Sequence, residues 1–126
     1  GLIPIIEPEV TITISQKSQA EESLKKSLIK YLKKLQPNQN VLLKLTLPEQ
    51  ENFYEELVKH PNVLRVVALS GGYSLTEANK RLEENSGVIA SFSRALTQSL
   101  FIHQNNDEFN LALEQSISAI ATASKT

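Results

Sequence analysis

Residues Val41–Leu47, Val-Leu-Leu-Lys-Leu-Thr-Leu, decide the fold of this 126-residue chain. Their length and aliphatic content are typical of a strand whose outer face is covered by helices. Because side chains alternate along a strand, four apolar residues share one face, and Leu42, Lys44 and Thr46 share the other. The stretch therefore predicts a strand that carries one lysine on its inward face.

Lys44 has two interpretations. An ammonium group within a strand is costly unless it is paired or has a use. Burial disfavours the charged form of a lysine, and the neutral amine is the nucleophile that covalent catalysis requires. A carboxylate can equally well neutralise the lysine, or its side chain can extend past the end of the sheet. From position alone, Lys44 is either a nucleophile or a structural residue.

Composition argues against several classes of function. With 13 basic and 14 acidic residues, the chain has no electrostatic footprint for nucleic acid or an anionic membrane. It has no cysteine for disulfides or thiolate chemistry, and its two histidines, His60 and His103, are poor candidates for a metal pair. No apolar run has the length of a membrane span, and no signal peptide is recognisable. We expect one cytoplasmic domain over residues 1–126, with no bound metal.

The remaining patterns alternate between strands and helices. The strand patterns cover residues 2–9, 41–47, 63–69 and 88–92. Helix starts are predicted from capping boxes at Ser18 and Ser74, from Pro48, and from N-caps at Ser93 and Asn106. Residues 121–126 are expected to fray. Strands that alternate with helices predict a parallel sheet with right-handed crossovers.

Polar groups follow all four predicted strands, at the carboxyl ends where parallel α/β proteins bind ligands. These groups are Glu7 and Glu9 on the first strand, Lys44 on the second, Ser70, Gly71 and Gly72 after the third, and Ser91, Ser93 and Arg94 after the fourth. One carboxylate could move protons while an imine forms on Lys44, and the other could hold the amine. Structural ion pairs with Lys44 are the alternative role for both acids.

The glycine pair and the residues after the fourth strand suit an anion. Gly71 and Gly72 allow close backbone approach, Ser93 would begin a helix with a positive end, and Arg94 offers donors matched to phosphate oxygens. An ordinary turn and a solvated arginine are the alternatives.

Four segments resemble, in order and spacing, class I fructose-bisphosphate aldolase of the bacterial type. They are Gly1–Glu9, Leu43-Lys44-Leu45, Leu69-Ser-Gly-Gly72 and Ser91-Phe-Ser-Arg-Ala-Leu96. The Ile-Ile-Glu-Pro-Glu run together with the strand lysine is the most specific part. The resemblance covers residues 1–126 and implies the C-terminal half of the enzyme, the last four βα units of a (β/α)8 TIM barrel.

The resemblance also implies an activity and a set of site residues. Lys44 would form a Schiff base with a phosphorylated sugar, and Glu7 would donate and accept protons beside the second carboxylate, Glu9. A substrate phosphate would bind at the remaining positions, Ser70, Gly71, Gly72, Ser91, Ser93 and Arg94. The covalent imine on Lys44 serves as the electron sink, so no metal or other cofactor is implied.

Two departures from the family bear on these roles. Ser93 stands where animal members have glycine. The family's inward aspartate and second lysine come from the first four strands, which this chain lacks. The isolated half therefore holds the imine former and one phosphate site but not the complete set of bases. Because four strands leave two open edges, we expect it to associate with the missing N-terminal half-barrel or with itself.

Two other classes compete with this interpretation. A catalytically incomplete half-barrel could serve only in assembly or phosphate binding. A receiver-like doubly wound domain has a similar length and a lysine at a strand end. Such a domain needs clustered aspartates to hold magnesium, and the only aspartate here, Asp107, lies late in a polar loop. The receiver-like alternative is therefore weak.

Overall fold

The computed structural model describes residues 1–126 and contains one parallel sheet flanked by helices. The strands are β1 (Ile5–Ile6), β2 (Val41–Thr46), β3 (Val63–Leu69) and β4 (Val88–Ala90). The helices are α1 (Lys17–Leu32), α2 (Glu55–Val58), α3 (Leu75–Glu83) and α4 (Asn106–Ala123). The strands lie in the sheet in chain order, and all neighbours are parallel. The predicted parallel α/β fold is confirmed.

The outer face of β2 forms the centre of the core, as its alternation predicts. Val41, Leu43, Leu45 and Leu47 are all buried. They join one cluster with apolar side chains of the helices, among them Leu28, Leu32, Leu57, Ala78 and Leu82. Each fully buried leucine contributes about 1.5–3 kcal/mol of transfer free energy. This burial fixes the opposite face of β2, with Lys44, toward the inner side of the sheet.

The first helix does not begin at the capping box that the sequence suggests. The helix starts at Lys17, its N-cap residue is Gln16, and no side chain caps it. Glu21 is unavailable for the box because its carboxylate binds the buried Lys17 and accepts a hydrogen bond from the backbone N–H of Glu49. The predicted role of Ser18 is therefore wrong.

Two other predicted helices differ from expectation. No regular helix follows Pro48 directly, because residues 51–54 form turns and α2 covers only four residues. Residues 94–99 also form turns, so the helix predicted after Ser93 is wrong. Its backbone bonds are a single Thr97 N–H to the Ser93 carbonyl at 3.2 Å and short i to i+3 contacts. Ser93 therefore offers no helix dipole to an anion.

The caps of the remaining helices agree closely with the sequence. Ser74 caps α3 and accepts a hydrogen bond from the Glu77 N–H at 3.2 Å. The cap of α4 lies one residue earlier than predicted, at Asn105, which forms a reciprocal capping box with Glu108. Both helices therefore begin at side chains that satisfy otherwise unpaired N–H groups.

The C-terminal residues are docked and do not fray. Ala123 is fully buried, and the Ser124 hydroxyl accepts a hydrogen bond from the Ala90 N–H at 3.1 Å. The Gly87 N–H donates to the carbonyl of Thr126 at 3.0 Å. The expectation of fraying over residues 121–126 is wrong, because these residues satisfy donors of β4 and of the turn before it.

The first strand is much shorter than its apolar run. Only Ile5 and Ile6 pair with β2, although residues 2–9 have a strand pattern. Pro4 has no N–H to donate, but its carbonyl accepts a hydrogen bond from Leu42 at 2.9 Å. The strand ends before Pro8, whose ring also removes a ladder donor. The Glu7–Glu9 segment therefore leaves the sheet just above Lys44.

Candidate functional site

The register of the sheet brings Glu7 to Lys44. Ile5 lies opposite Leu42 in the β1–β2 pair, so two further residues along both strands place Glu7 beside Lys44. The Lys44 Nζ is 2.8 Å from Oε1 of Glu7. The lysine side chain is 27 % exposed and the glutamate side chain 48 % exposed. The amine is thus paired with an acid and still accessible to a small molecule.

The Ser70-Gly71-Gly72 turn forms the wall on the β3 side. Gly71 has a φ of 62° and Gly72 a φ of 106°, both in the region that favours glycine. A Cβ atom on Gly71 would lie 3.0 Å from the side chain of Ile12 and 3.2 Å from the Thr46 methyl. Gly71 is therefore required both by its backbone conformation and by the space around it.

Arg94, which follows β4, and Glu9, which follows β1, approach each other across the carboxyl ends of the strands. The nearest guanidinium nitrogen of Arg94 lies 3.9 Å from Oε1 of Glu9, and both side chains are mostly exposed. A pair at this distance in solvent contributes little to stability, so an incoming anion can displace Glu9 at small cost. The N–H of Ser91 already donates to the Ala68 carbonyl at 2.7 Å, which leaves only its hydroxyl for a ligand.

One polar cavity of about 140 Å³ brings together nearly all the predicted site residues. Its lining contains Glu7, Glu9, Lys44, Ser70, Gly71, Ser91, Ser93 and Arg94, with Leu69 as the single apolar member. Gly72 is the exception, since it lines a neighbouring depression, to which Arg94 also contributes. Four strand ends thus converge on one polar space.

A second, larger cavity lies on the other side of Lys44. It has a volume of about 550 Å³ and is lined mainly by apolar side chains of β4, of α4 and of the turns between them. Lys44, Ser91 and Ser93 line both cavities. The amine therefore stands at the boundary between a polar space and an apolar one.

Two features of this region were not predicted as parts of a site. The buried Thr46 hydroxyl accepts a hydrogen bond from the Val10 N–H at 2.9 Å, although the sequence indicates only that Thr46 faces inward. Lys17 and Glu21 form a buried ion pair at the carboxyl end of β2. The i, i+4 spacing of opposite charges is a signal for such a pair, but it more often marks an exposed helix face.

No three His, Cys, Asp or Glu side chains come close enough together to hold a metal ion. None of the helices combines the length and apolar character needed to cross a bilayer.

The fold and the site define a class of protein. It is a parallel α/β protein in which a strand lysine, paired with a carboxylate, faces a polar cavity at the carboxyl ends of the strands. In sequence, the chain is similar over its whole length to part of proteins named fructose-bisphosphate aldolase class 1.

Three relatives carry that name. The chain is 60 % identical over 126 residues to the fructose-bisphosphate aldolase class 1 of Synechocystis, all of this chain and 42 % of that protein. It is 53 % identical over 126 residues to that of Clostridium acetobutylicum, covering 43 % of the relative. It is 52 % identical over 124 residues to that of Porphyromonas gingivalis, covering 42 %.

The chain therefore spans about two fifths of the length of the curated relatives it matches. No family model matches it. The resemblance stated from the motifs is confirmed by these relatives.

Proposed function

We propose that this chain carries the imine-forming part of a class I fructose-bisphosphate aldolase. In the complete reaction, fructose 1,6-bisphosphate would be cleaved reversibly to dihydroxyacetone phosphate and glyceraldehyde 3-phosphate. The observation that carries the proposal is the 2.8 Å contact between Lys44 and Glu7 inside a cavity that also contains Arg94 and the Ser70–Gly71 turn. A nucleophile, a proton carrier and an anion site then lie within reach of one small substrate.

The proposed chemistry begins with the neutral amine of Lys44. Its nitrogen attacks the carbonyl carbon of the ketose phosphate, and the carbonyl oxygen takes a proton from Glu7 to give a carbinolamine. The nitrogen then gives one of its own protons to the Glu7 carboxylate, Glu7 passes that proton to the hydroxyl, the hydroxyl leaves as water, and the protonated imine remains. The imine accepts the electron pair of the C3–C4 bond when that bond breaks. The base that removes the C4 hydroxyl proton would come from outside these 126 residues.

Glu9 and Arg94 would work as a pair that responds to the substrate. The Arg94 guanidinium and the Glu9 carboxylate lie 3.9 Å apart. A substrate phosphate would take the Arg94 guanidinium and leave the Glu9 carboxylate close to Lys44, where it would hold the amine. Ser70, Gly71, Gly72, Ser91 and Ser93 are the remaining candidates for phosphate contacts, of which Gly72 lies outside the cavity itself.

We further propose that the sheet is a run of four consecutive strands of a (β/α)8 barrel. Support comes from strand order equal to chain order, because a doubly wound sheet reverses its order at a switch point. As a half-barrel region over residues 1–126, it would work in the cytoplasm together with the rest of the barrel or with a second copy. Sedimentation of the purified chain would separate self-association from a monomer.

Reductive trapping tests the proposed imine. Sodium borohydride added with dihydroxyacetone phosphate should leave a stable adduct on Lys44, located by peptide mass spectrometry. Lys44→Arg keeps the positive charge but cannot form an imine, and is the matched control. An unmodified wild-type chain at saturating ligand would refute the imine chemistry.

Borohydride trapping, combined with a phosphate titration, distinguishes the proposed function from the alternative one. A catalytically incomplete half-barrel would bind inorganic phosphate, detected by chemical-shift changes at Gly71 and Arg94, and would give no adduct at Lys44. Adduct formation excludes that alternative.

A further inference from the structure

Thr46 occupies a central place in the site, although it does not line the cavity. It is the last residue of β2, two positions beyond Lys44 on the same face, and it is fully buried. As a β-branched residue it is restricted at χ1, so its hydroxyl and its methyl group point in fixed and different directions. Each of the two groups contacts a different wall of the site.

The hydroxyl holds the acidic wall. Thr46 Oγ1 accepts a hydrogen bond from the Val10 N–H at 2.9 Å, and Val10 is itself buried. Earlier in the chain, the backbone of the segment is bonded to β2 through the pairing of Ile5 and Ile6 and through the Pro4 carbonyl. Glu7 and Glu9 thus lie between two points of attachment to β2, the short strand on one side and Thr46 on the other.

The methyl group supports the glycine wall. A Cβ atom on Gly71 would stand 3.2 Å from Thr46 Cγ2, so the backbone of the turn packs directly against that methyl. The turn itself is closed by a hydrogen bond from the Tyr73 N–H to the Ser70 carbonyl at 3.0 Å. The Thr46 methyl therefore supports the glycine wall together with Ile12, whose Cγ2 would lie 3.0 Å from the same Cβ atom.

We infer that Thr46 is the positioning residue of this site: its hydroxyl sets Glu7 and Glu9, and its methyl sets Gly71, at fixed distances from Lys44. The inference rests on the proposed function for its catalytic consequence. The two groups of one side chain have separable effects, because one acts on the residues that move protons and the other acts on the turn proposed to bind the anion.

Two substitutions separate these effects. Thr46→Val keeps the methyl and the side-chain volume but removes the acceptor for Val10. Thr46→Ser keeps the acceptor and removes the methyl. Ser116→Ala is the control, because Ser116 is also buried and bonded through its hydroxyl, to Ser99 at 3.2 Å, yet lines neither cavity beside Lys44.

The first measurement is the rate of borohydride-trapped adduct as a function of dihydroxyacetone phosphate concentration. Thr46→Val should lower the limiting rate about tenfold or more with little change in half-saturating concentration, as expected when proton transfer is impaired. Thr46→Ser should raise the half-saturating concentration about threefold or more and leave the limiting rate near wild type. A purely structural role would instead move both quantities in both variants, in step with the folded fraction.

The second measurement needs no imine. Amide hydrogen exchange at Val10 should become faster in Thr46→Val than in wild type, with the amides of β3 unchanged, and Thr46→Ser should match wild type at Val10. Titration with inorganic phosphate should show weaker binding to Thr46→Ser than to Thr46→Val.

These results distinguish the inference from the proposed function. Absence of adduct in the wild type would reject the proposed function alone, since exchange and phosphate binding still test the positioning. Unchanged Val10 exchange in Thr46→Val would overturn the role of the hydroxyl. Equal phosphate affinity in Thr46→Ser and wild type would overturn the role of the methyl.

Discussion

Lys17 and Glu21 form an ion pair one helical turn apart, and their side chains are only 1 % and 2 % exposed. The Lys17 ammonium also donates to the Leu47 carbonyl at 2.9 Å, just past the end of β2. The second carboxylate oxygen of Glu21 accepts from the Glu49 N–H at 3.2 Å. The pair therefore satisfies the backbone where the chain leaves the strand that carries Lys44.

Removal of one partner of this pair should be costly. Glu21→Ala would leave a buried ammonium without its counter-charge, which costs about 3–5 kcal/mol in buried pairs of other proteins. Urea unfolding of the variant and the wild type measures the difference directly.

The double variant Lys17→Met, Glu21→Leu is the matched comparison, because it removes both charges and retains apolar volume. Its stability should lie within about 1–2 kcal/mol of wild type. A Glu21→Ala variant as stable as the double variant would contradict the assignment of a buried, dependent pair.

Tyr54 should make the stability of the fold fall at high pH. Burial, with the Glu21 carboxylate as the second cause, raises the pKa of Tyr54 well above its ordinary value. The unfolded chain releases this phenolic proton near pH 10, whereas the folded chain retains it. The free energy of unfolding is therefore unaffected by ionisation of Tyr54 below that pH and falls above it, by up to about 1.4 kcal/mol per pH unit.

Tyr54→Phe isolates this contribution. The Tyr54 hydroxyl is buried without a hydrogen-bond partner, so its loss at neutral pH should be neutral or stabilising. Unfolding free energies measured between about pH 9 and about pH 11, one unit on each side of the ordinary pKa, should diverge for the two proteins only at the alkaline end. Parallel curves would contradict the burial of a neutral phenol.

Gly87 should not tolerate a side chain. Its φ is 77°, and a Cβ atom would lie 2.7 Å from Cγ1 of Val58. Gly87→Ala should therefore destabilise the fold by about 2 kcal/mol, from left-handed backbone strain and overpacking together. Chemical unfolding gives the value, and combination with Val58→Ala should recover only the overpacking part. Full recovery would show that the backbone conformation costs nothing.

Arg94 should dominate recognition of the anion. Arg94→Ala should weaken the binding of inorganic phosphate by about 1–3 kcal/mol, the cost of a lost charged hydrogen bond. Isothermal titration or chemical-shift titration measures the affinity. Arg65→Ala is the control, because Arg65 is an exposed arginine of β3 that lies outside the cavity.

Glu9→Gln provides a second test of the same assignment. It removes the carboxylate that faces Arg94 at 3.9 Å, so phosphate should bind more tightly. Unchanged affinity in both Arg94→Ala and Glu9→Gln would remove this pair from the site.

Much of the fold follows from local sequence. The alternation in Val41–Leu47 predicts the buried and inward faces of β2, and the strand of residues 63–69 has the bounds predicted for it. Both outcomes depend on side-chain period, which is a property of a few neighbouring residues. Turn chemistry at Ser74 likewise predicts the start of α3.

The failures depend on contacts between distant residues. Glu21 cannot complete a capping box with Ser18 because its carboxylate binds Lys17 and the Glu49 N–H in the core. Lys17 is held there in turn by the Leu47 carbonyl. β1 pairs with β2 only at Ile5 and Ile6, because Pro4 and Pro8 have no backbone N–H for a longer ladder. The apolar run in the sequence is therefore longer than the strand. Residues after Ala123 resemble a free end, yet the edge of β4 gives them partners 34 residues away.

The cavity itself was partly predictable. Parallel topology alone predicts that polar residues at the strand ends converge, and this places Glu7, Lys44, Gly71 and Arg94 around one space. The sequence does not predict which acid pairs with which base. That Glu7 contacts Lys44 while Glu9 faces Arg94 depends on distances of a few ångströms.

The two-residue length of β1 has a consequence for how the site opens. Segments with few ladder bonds exchange and open at low free energy, well before the strands of the core. The short strand is therefore expected to open before the core, and Glu7 and Glu9 would move away from Lys44 only when the Val10–Thr46 bond opens as well. A protease cut between Val10 and Lys17 is therefore expected to detach the segment that carries both acids, and phosphate titration of the remaining chain would measure what Arg94 and the glycine turn bind without them.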